Sequence, residues 1–125
     1  FEFFIEEMKK RNNAVVWYNQ RLGDIKEIDL PYIEKFNKSV YAQYSIQTAD
    51  RDNLKNFLQK QGIPTEIHYP KPLHLQEAFS CLNYKNGDFP TAESVSKKII
   101  SLPFCPYKNE DEIDFICNSI KEFFS

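Results

Sequence analysis

Glycine is scarce in this sequence, three residues in 125, and two of the three stand where helical periodicity stops. A phosphate cradle built from consecutive glycine amides is therefore excluded. The three cysteines are odd in number and nowhere spaced C-x-x-C, which speaks against a disulfide framework and against a zinc ribbon. Unpaired thiols fit a reducing compartment, so the expected location is the cytoplasm. No apolar run approaches the ~20 residues of a membrane-spanning helix, and no succession of basic, apolar and small residues marks a signal peptide. With a net charge of −2, electrostatics supplies no reason to expect nucleic acid or an anionic membrane as partner.

What is plentiful is aromatic carbon: 11 Phe and 7 Tyr in a chain that is 42% hydrophobic, the composition of an ordinary globular protein. At this length one domain forms, burying about two-thirds of the unfolded surface. Phe1, Phe4, Ile5, Met8, Val15, Tyr18 and Leu22 recur at three- and four-residue steps, which predicts an amphipathic helix of about six turns closed by Gly23 as a left-handed cap. Two fates for its aromatic stripe stay open, packing on this domain's own sheet or sharing it with a neighbouring domain. Residues 24–39 lose all periodicity around Pro31 and read as a connection. From residue 40 the alternation returns, with Val40, Ala42, Tyr44 and Ile46 on one face of a half-buried strand that runs to Gln47.

Thr48 or Asp50 caps the next helix, which buries Leu54, Phe57 and Leu58 and stops at Gly62, with Ile63 placed for a Schellman contact. Ile63, Thr65, Ile67 and Tyr69 then share one face of a second strand, while Glu66 and His68 share the other. A short helix through Leu75, Ala78, Phe79 and Leu82 and a polar turn over 83–88 follow. Thr91 caps a helix through Ala92, Val95 and Ile99, and Ile99 to Leu102 form a third strand ended by Pro103 and Pro106. Asn109 with Glu112 makes a capping box for a last helix whose apolar face carries Ile113, Ile116, Cys117, Ile120, Phe123 and Phe124, Cys117 being a packing residue. The predicted class is α+β, an α/β sandwich with a small, mostly antiparallel sheet of about three strands and helices packed on it.

Chemistry concentrates at residues 67–74, which hold both histidines of the chain together with Tyr69, Lys71, Pro70 and Pro72. Each proline fixes its own φ and pushes the preceding residue toward extended geometry, so Tyr69 and Lys71 stand on a stiff arm. His68, Tyr69, Lys71 and His74 supply donors and partial positive charge suited to a phosphate or a sugar hydroxyl, but no self-sufficient catalytic constellation. A plain strand exit into a rigid surface loop accounts for the same residues. His68, His74 and Cys81 match no metal pattern, Cys81 and Cys105 lack a neighbouring base, Lys97 and Lys98 are a solvated face, and Glu110, Asp111 and Glu112 belong to a helix start. No catalytic residue and no metal ligand is assigned.

The ordered segments resemble the carboxy-terminal small domain of the DegT/DnrJ/StrS family of PLP-dependent sugar-nucleotide aminotransferases. Lys10-Arg11-Asn12 and Trp17-Tyr18-Asn19 are similar to the family's helix that links two domains. Tyr41 to Tyr44, Asp50 to Leu54, Phe89 to Glu93 and Ser101-Leu102-Pro103 follow in the family's order, and Gln61 to His74 is the most specific match. The resemblance implies residues 1–23 as the linking helix and 24–125 as a small domain like the carboxy-terminal domain of fold-type I aminotransferases. It also implies a longer parent enzyme, in keeping with a chain that opens at Phe1 directly in helical sequence. That parent would move an amino group, typically from glutamate, to a nucleotide-linked keto sugar with PLP as electron sink, and family members are usually homodimers. The Schiff-base lysine and phosphate-binding residues would lie in a large amino-terminal domain that this chain does not contain. His68 and Tyr69 would line the cleft between the domains, with Lys71 and His74 beside them. A stand-alone α/β ligand- or protein-binding module is the rival from another class, and a related dehydratase, whose large domain replaces that lysine with histidine, is a third and weaker reading that this chain does not separate from the first.

Overall fold

The computed structural model describes residues 2–125, so the place of Phe1 in the helical stripe lies outside the described residues. Helix α1 spans Glu2–Leu22, α2 Arg51–Lys60, α3 Pro90–Lys98 and α4 Glu110–Phe123. Strands β1 (Ile28–Asp29), β2 (Tyr44–Thr48) and β3 (Ile99–Leu102) form one antiparallel sheet in the order β1-β2-β3. The α+β class is the one expected. Successive strand residues face opposite ways, so Tyr44, Ile46, Ile100 and Leu102 point together into the core. There they meet Tyr18 and Leu22 of α1, Leu54 and Leu58 of α2, and Ile113, Ile116, Cys117 and Ile120 of α4. Polar residues, Ser45 and Ser101 among them, take the opposite face.

At the centre, the rings of Tyr18 and Tyr44 stack 4.6 Å apart at 17°. Neither hydroxyl is stranded: Tyr18 donates to the Pro103 carbonyl at 2.8 Å and Tyr44 to Asn19 Oδ1 at 2.7 Å. Burial pushes both phenols far up, which favours the neutral, hydrogen-donating form. Arg21 bonds Asp114 and, at 2.6 Å, Glu110, joining the end of α1 to the first turn of α4. That turn carries the expected capping box, Glu112 N–H donating to Asn109 Oδ1 at 2.9 Å and Asn109 N–H to Glu112 Oε2 at 3.0 Å. The ending at Gly62 is also as expected, with φ +77° and Ile63 N–H donating to the Leu58 carbonyl at 2.9 Å. Among the described residues, no helix is long and apolar enough to cross a membrane.

Several local expectations are corrected. The strand begins at Tyr44, not Val40, which is 52% exposed. Strand β3 offers partners only to residues 44–47, and Tyr41 turns the chain at φ +45° with its carbonyl accepting from Arg11. The strand foreseen over 63–69 shrinks to one bridge, Glu66 with Ser101. Its parity still holds up to there, with Ile63 and Thr65 buried and Glu66 exposed, but Tyr69 lies past the last pairing and is 68% exposed instead of joining the core. Strand β1 was hidden because two residues carry no alternation. Gly23 is not left-handed; it closes α1 through a 3.0 Å bond to the Asn19 carbonyl, and a Cβ there would lie 2.8 Å from that oxygen. Helix α3 begins at Pro90, with Phe89 rather than Thr91 at its N-cap. Asp50 is the N-cap residue of α2 without a side-chain cap bond. The short helix around residue 79 is a pair of 3₁₀ turns, Leu73–Leu75 and Glu77–Leu82. On α1, Val15, Tyr18 and Leu22 are buried, whereas Phe4 and Ile5 are 57% and 53% exposed.

The shortened strand is checked by a pair of substitutions. Truncating Ile46→Ala should cost about 2–5 kcal/mol in urea unfolding, whereas Val40→Ala should stay within about 0.5 kcal/mol.

Candidate functional site

Beyond Thr65 the chain leaves the core, and Pro70 and Pro72 stiffen it into an arm that crosses in front of α3. Between arm and helix lies an open cleft of about 890 Å³. His68, Tyr69 and Lys71 line it from the arm, Leu73, Phe79, Leu82 and Tyr84 from the 3₁₀ turns and the loop after them, and Phe89, Val95 and Ile99 from α3 and its ends. The wall is chiefly apolar, with His68, Tyr69 and Lys71 on the arm and Gln76, Tyr84 and Thr91 elsewhere among its polar groups.

His68 is half-buried, and the alternation that turned it away from the core also turned it toward the two serines of the polar sheet face. Its Nδ1 lies 3.1 Å from Ser101 Oγ, which lies 2.8 Å from Ser45 Oγ. Its ring meets Tyr69 edge-on, 5.5 Å between centroids at 89°. Lys71 is exposed, and its carbonyl accepts from Gln76. His68, Tyr69 and Lys71 are thus brought together on one wall.

His74 also lines the cleft, but it is held by a different partner. Its side chain is 8% exposed, its Nε2 lies 3.0 Å from Glu93 Oε1, and its ring packs 4.8 Å from that of Phe89. Glu93, itself 10% exposed, also accepts from the Gly87 amide at 2.8 and 3.0 Å and from the Phe89 amide at 3.3 Å. Gly87 reaches that carboxylate at φ +98°, where a side chain would be strained. One carboxylate therefore pins the 3₁₀ segment and the 83–89 turn to α3. Burial works to push its carboxyl up, but the Gly87 and Phe89 amides and His74 outweigh it and hold it below the usual carboxylate range. Sequence reasoning quoted Glu93 only within the Phe89 to Glu93 segment and assigned it no role, since its partner His74 lies 19 residues away. Ser101 was passed over as a strand residue; strand parity relative to His68 was the available signal.

No group of three or more His, Cys, Asp or Glu among the described residues could hold a metal ion. Cys81 is exposed, Cys105 half-buried, and burial pushes the Cys117 thiol up to about 12. Cys117 is a packing residue, as expected.

The profile of the DegT/DnrJ/EryC1/StrS aminotransferase family matches residues 2–121. The chain belongs to this family. Among curated relatives it is 39% identical over 123 residues to the pleiotropic regulatory protein of Geobacillus stearothermophilus, covering 93% of this chain and 32% of that protein. It is 34% identical over 119 residues to UDP-2-acetamido-2-deoxy-3-oxo-D-glucuronate aminotransferase of Pseudomonas aeruginosa, covering 95% of this chain and 32% of the relative. Among solved structures, a DegT/DnrJ/EryC1/StrS aminotransferase from Brucella abortus superposes with TM-score 0.85 at 40% identity, covering 95% of this chain and 31% of that one. The chain thus spans about a third of the length of the relatives it matches. Their family depends on PLP.

The Glu93 pin predicts a local acid lability. A carboxylate whose folded pKa is depressed stabilises above its unfolded pKa and loses that contribution as pH falls through the lower folded value. Cleavage by an acid-active protease within residues 76–88 should therefore accelerate severalfold as pH drops below about 4. Glu93→Gln should show the same fast cleavage at neutral pH with a neutral-active protease, while far-UV circular dichroism of the core is unchanged.

Proposed function

We propose that these 125 residues are the small carboxy-terminal domain of a PLP-dependent aminotransferase that transfers an amino group, from glutamate as donor, to a keto sugar carried on a nucleotide. The observation that carries it is the cleft: a rigid arm presenting His68, Tyr69 and Lys71 along a largely apolar hollow of about 890 Å³, within the size range of small-molecule sites. A chemical name that includes a UDP-linked 3-oxo sugar, on a relative 34% identical over 95% of this chain, supports the substrate class.

The residues present do not fit PLP itself. Lys71 is the lysine lining the cleft, and it sits exposed on the proline-stiffened arm. With three glycines in the chain, no cluster of glycine amides offers a phosphate cradle. The cofactor's chemistry therefore belongs to the rest of the parent enzyme. In this reading His68 and Tyr69 hydrogen-bond sugar oxygens, Lys71 sets a cation near the diphosphate, and His74 acts through the cleft rim by way of Glu93. Residues 1–23 link the two domains, the exposed Phe3, Phe4 and Ile5 docking on the large one, and the parent works as a homodimer. Closure of such a domain orients the substrate and excludes water without supplying the reactive group.

The test is to add PLP to the 125-residue chain, reduce with borohydride and weigh the product. No stoichiometric adduct at a single lysine is expected, and finding one would overturn the division of labour. In the full-length enzyme, His68→Gln should raise KM for the nucleotide sugar about tenfold, as loss of one hydrogen bond to a polar ligand does. An unchanged KM would remove His68 from the substrate.

A further inference from the structure

His68 owes its position to sheet register. Glu66 pairs with Ser101 through both backbone bonds, Glu66 N–H to the Ser101 carbonyl at 3.2 Å and Ser101 N–H to the Glu66 carbonyl at 2.8 Å. Ser101 pairs in turn with Ser45. Directly opposed residues put their side chains on one face, and His68, two residues beyond Glu66, returns to that face. Ser45, Ser101 and His68 therefore form a row, with Oγ to Oγ at 2.8 Å and Oγ to Nδ1 at 3.1 Å. Ser101 is 5% exposed and lies between Glu66 and Ser45, bonded to the first through its amide and carbonyl, which fixes its Cβ beside the histidine. Among the described residues the Nε2 of His68 has no hydrogen-bond partner, yet no buried side-chain nitrogen or oxygen is without one. That nitrogen is therefore open to solvent, on a ring that lines the main cleft.

We propose that Ser101, backed by Ser45, is a positioning residue that fixes neutral His68 as its Nε2–H tautomer, so that the ring offers a hydrogen-bond donor, and not a base, to an oxygen of the substrate. A bare imidazole nitrogen is a better acceptor than an alcohol oxygen, so the Ser101 proton goes to Nδ1. Ser45 then donates to Ser101 Oγ, and the two bonds polarise each other in one direction. The remaining ring proton sits on Nε2. A histidine in this state cannot take a proton from the substrate at Nε2; it can hold a hydroxyl or phosphoryl oxygen in register. The consequence for substrate rests on His68 contacting the nucleotide sugar, as proposed above, whereas the tautomer does not.

The chain has two histidines, so ring-¹⁵N labelling gives two imidazoles to assign. At a pH where the rings are neutral, wild type should show a bare Nδ1 and a protonated Nε2 for His68. Ser101→Ala should shift it toward a mixture of tautomers and Ser101→Thr should restore the wild-type pattern. A proton on Nδ1 in the wild type overturns the proposal without any variant. In the full-length enzyme with a UDP-linked 3-oxo sugar as probe, Ser101→Ala should raise KM about fivefold, the loss of one neutral hydrogen bond. It should add nothing in the His68→Gln background, because both changes act through one imidazole. Additive effects would make Ser101 a merely structural residue and overturn its positioning role. If His68→Gln leaves KM unchanged while the tautomer is as stated, the substrate contact fails and the relay stands.

Discussion

Antiparallel pairing of Tyr44 with Leu102 through Gln47 with Ile99 sets the position of nearly everything else in this molecule. A slip of one residue would turn either Tyr44 and Ile46 or Ile100 and Leu102 out of the core and bring the serine of that strand into it. The stacked tyrosines resist such a slip from the core side, since each hydroxyl meets one particular acceptor, Pro103 and Asn19. From the other side the serine row resists it. Burial and hydrogen bonding thus act on opposite faces of the same few residues, and the cleft-lining His68 inherits its place from both.

Two kinds of restraint shape the cleft. The arm is stiffened locally by Pro70 and Pro72, which leaves its backbone little conformational freedom. The opposite rim, made of 3₁₀ turns and a polar loop, has weak structure of its own and depends on a single carboxylate. Glu93 gathers His74, Gly87 and Phe89, while Tyr84 and Phe89 meet edge-on at 5.0 Å to cover the gathering point. One wall is held by covalent geometry and the other by charge.

Features encoded within a few residues were legible in the sequence. The capping box of Asn109 and Glu112, the Schellman ending at Gly62 and the apolar faces of α2 and α4 each rest on local spacing, and each is found. So is the orientation of His68 away from the core, which follows from parity with Ile63 and Thr65. Features that depend on a partner from elsewhere in the chain were not. Val40 alternates correctly with Tyr44 and Ile46, but the strand opposite is too short to reach it. Tyr69 keeps step with Ile67 on paper, yet the ladder ends at Glu66. His74 looked like a sibling of His68 because the two are close in sequence, and only the fold shows that Glu93, 19 residues on, occupies its ring nitrogen. The cofactor family was read from the ordered succession of motifs rather than from any one residue, and the family match over residues 2–121 agrees.

The brevity of the outer pairings bears on how the molecule behaves in a crowd. One margin of the sheet is a two-residue strand with Pro31 just after it, and the other is met by a single bridged residue flanked by Pro64 and Pro70. Proline there removes the amides that a foreign strand would recruit, and the charged Glu66 sits at the bridge itself. Phe36 and Tyr69 stand exposed, yet beside such sticky side chains the sheet offers almost no backbone template on which a fibril could grow.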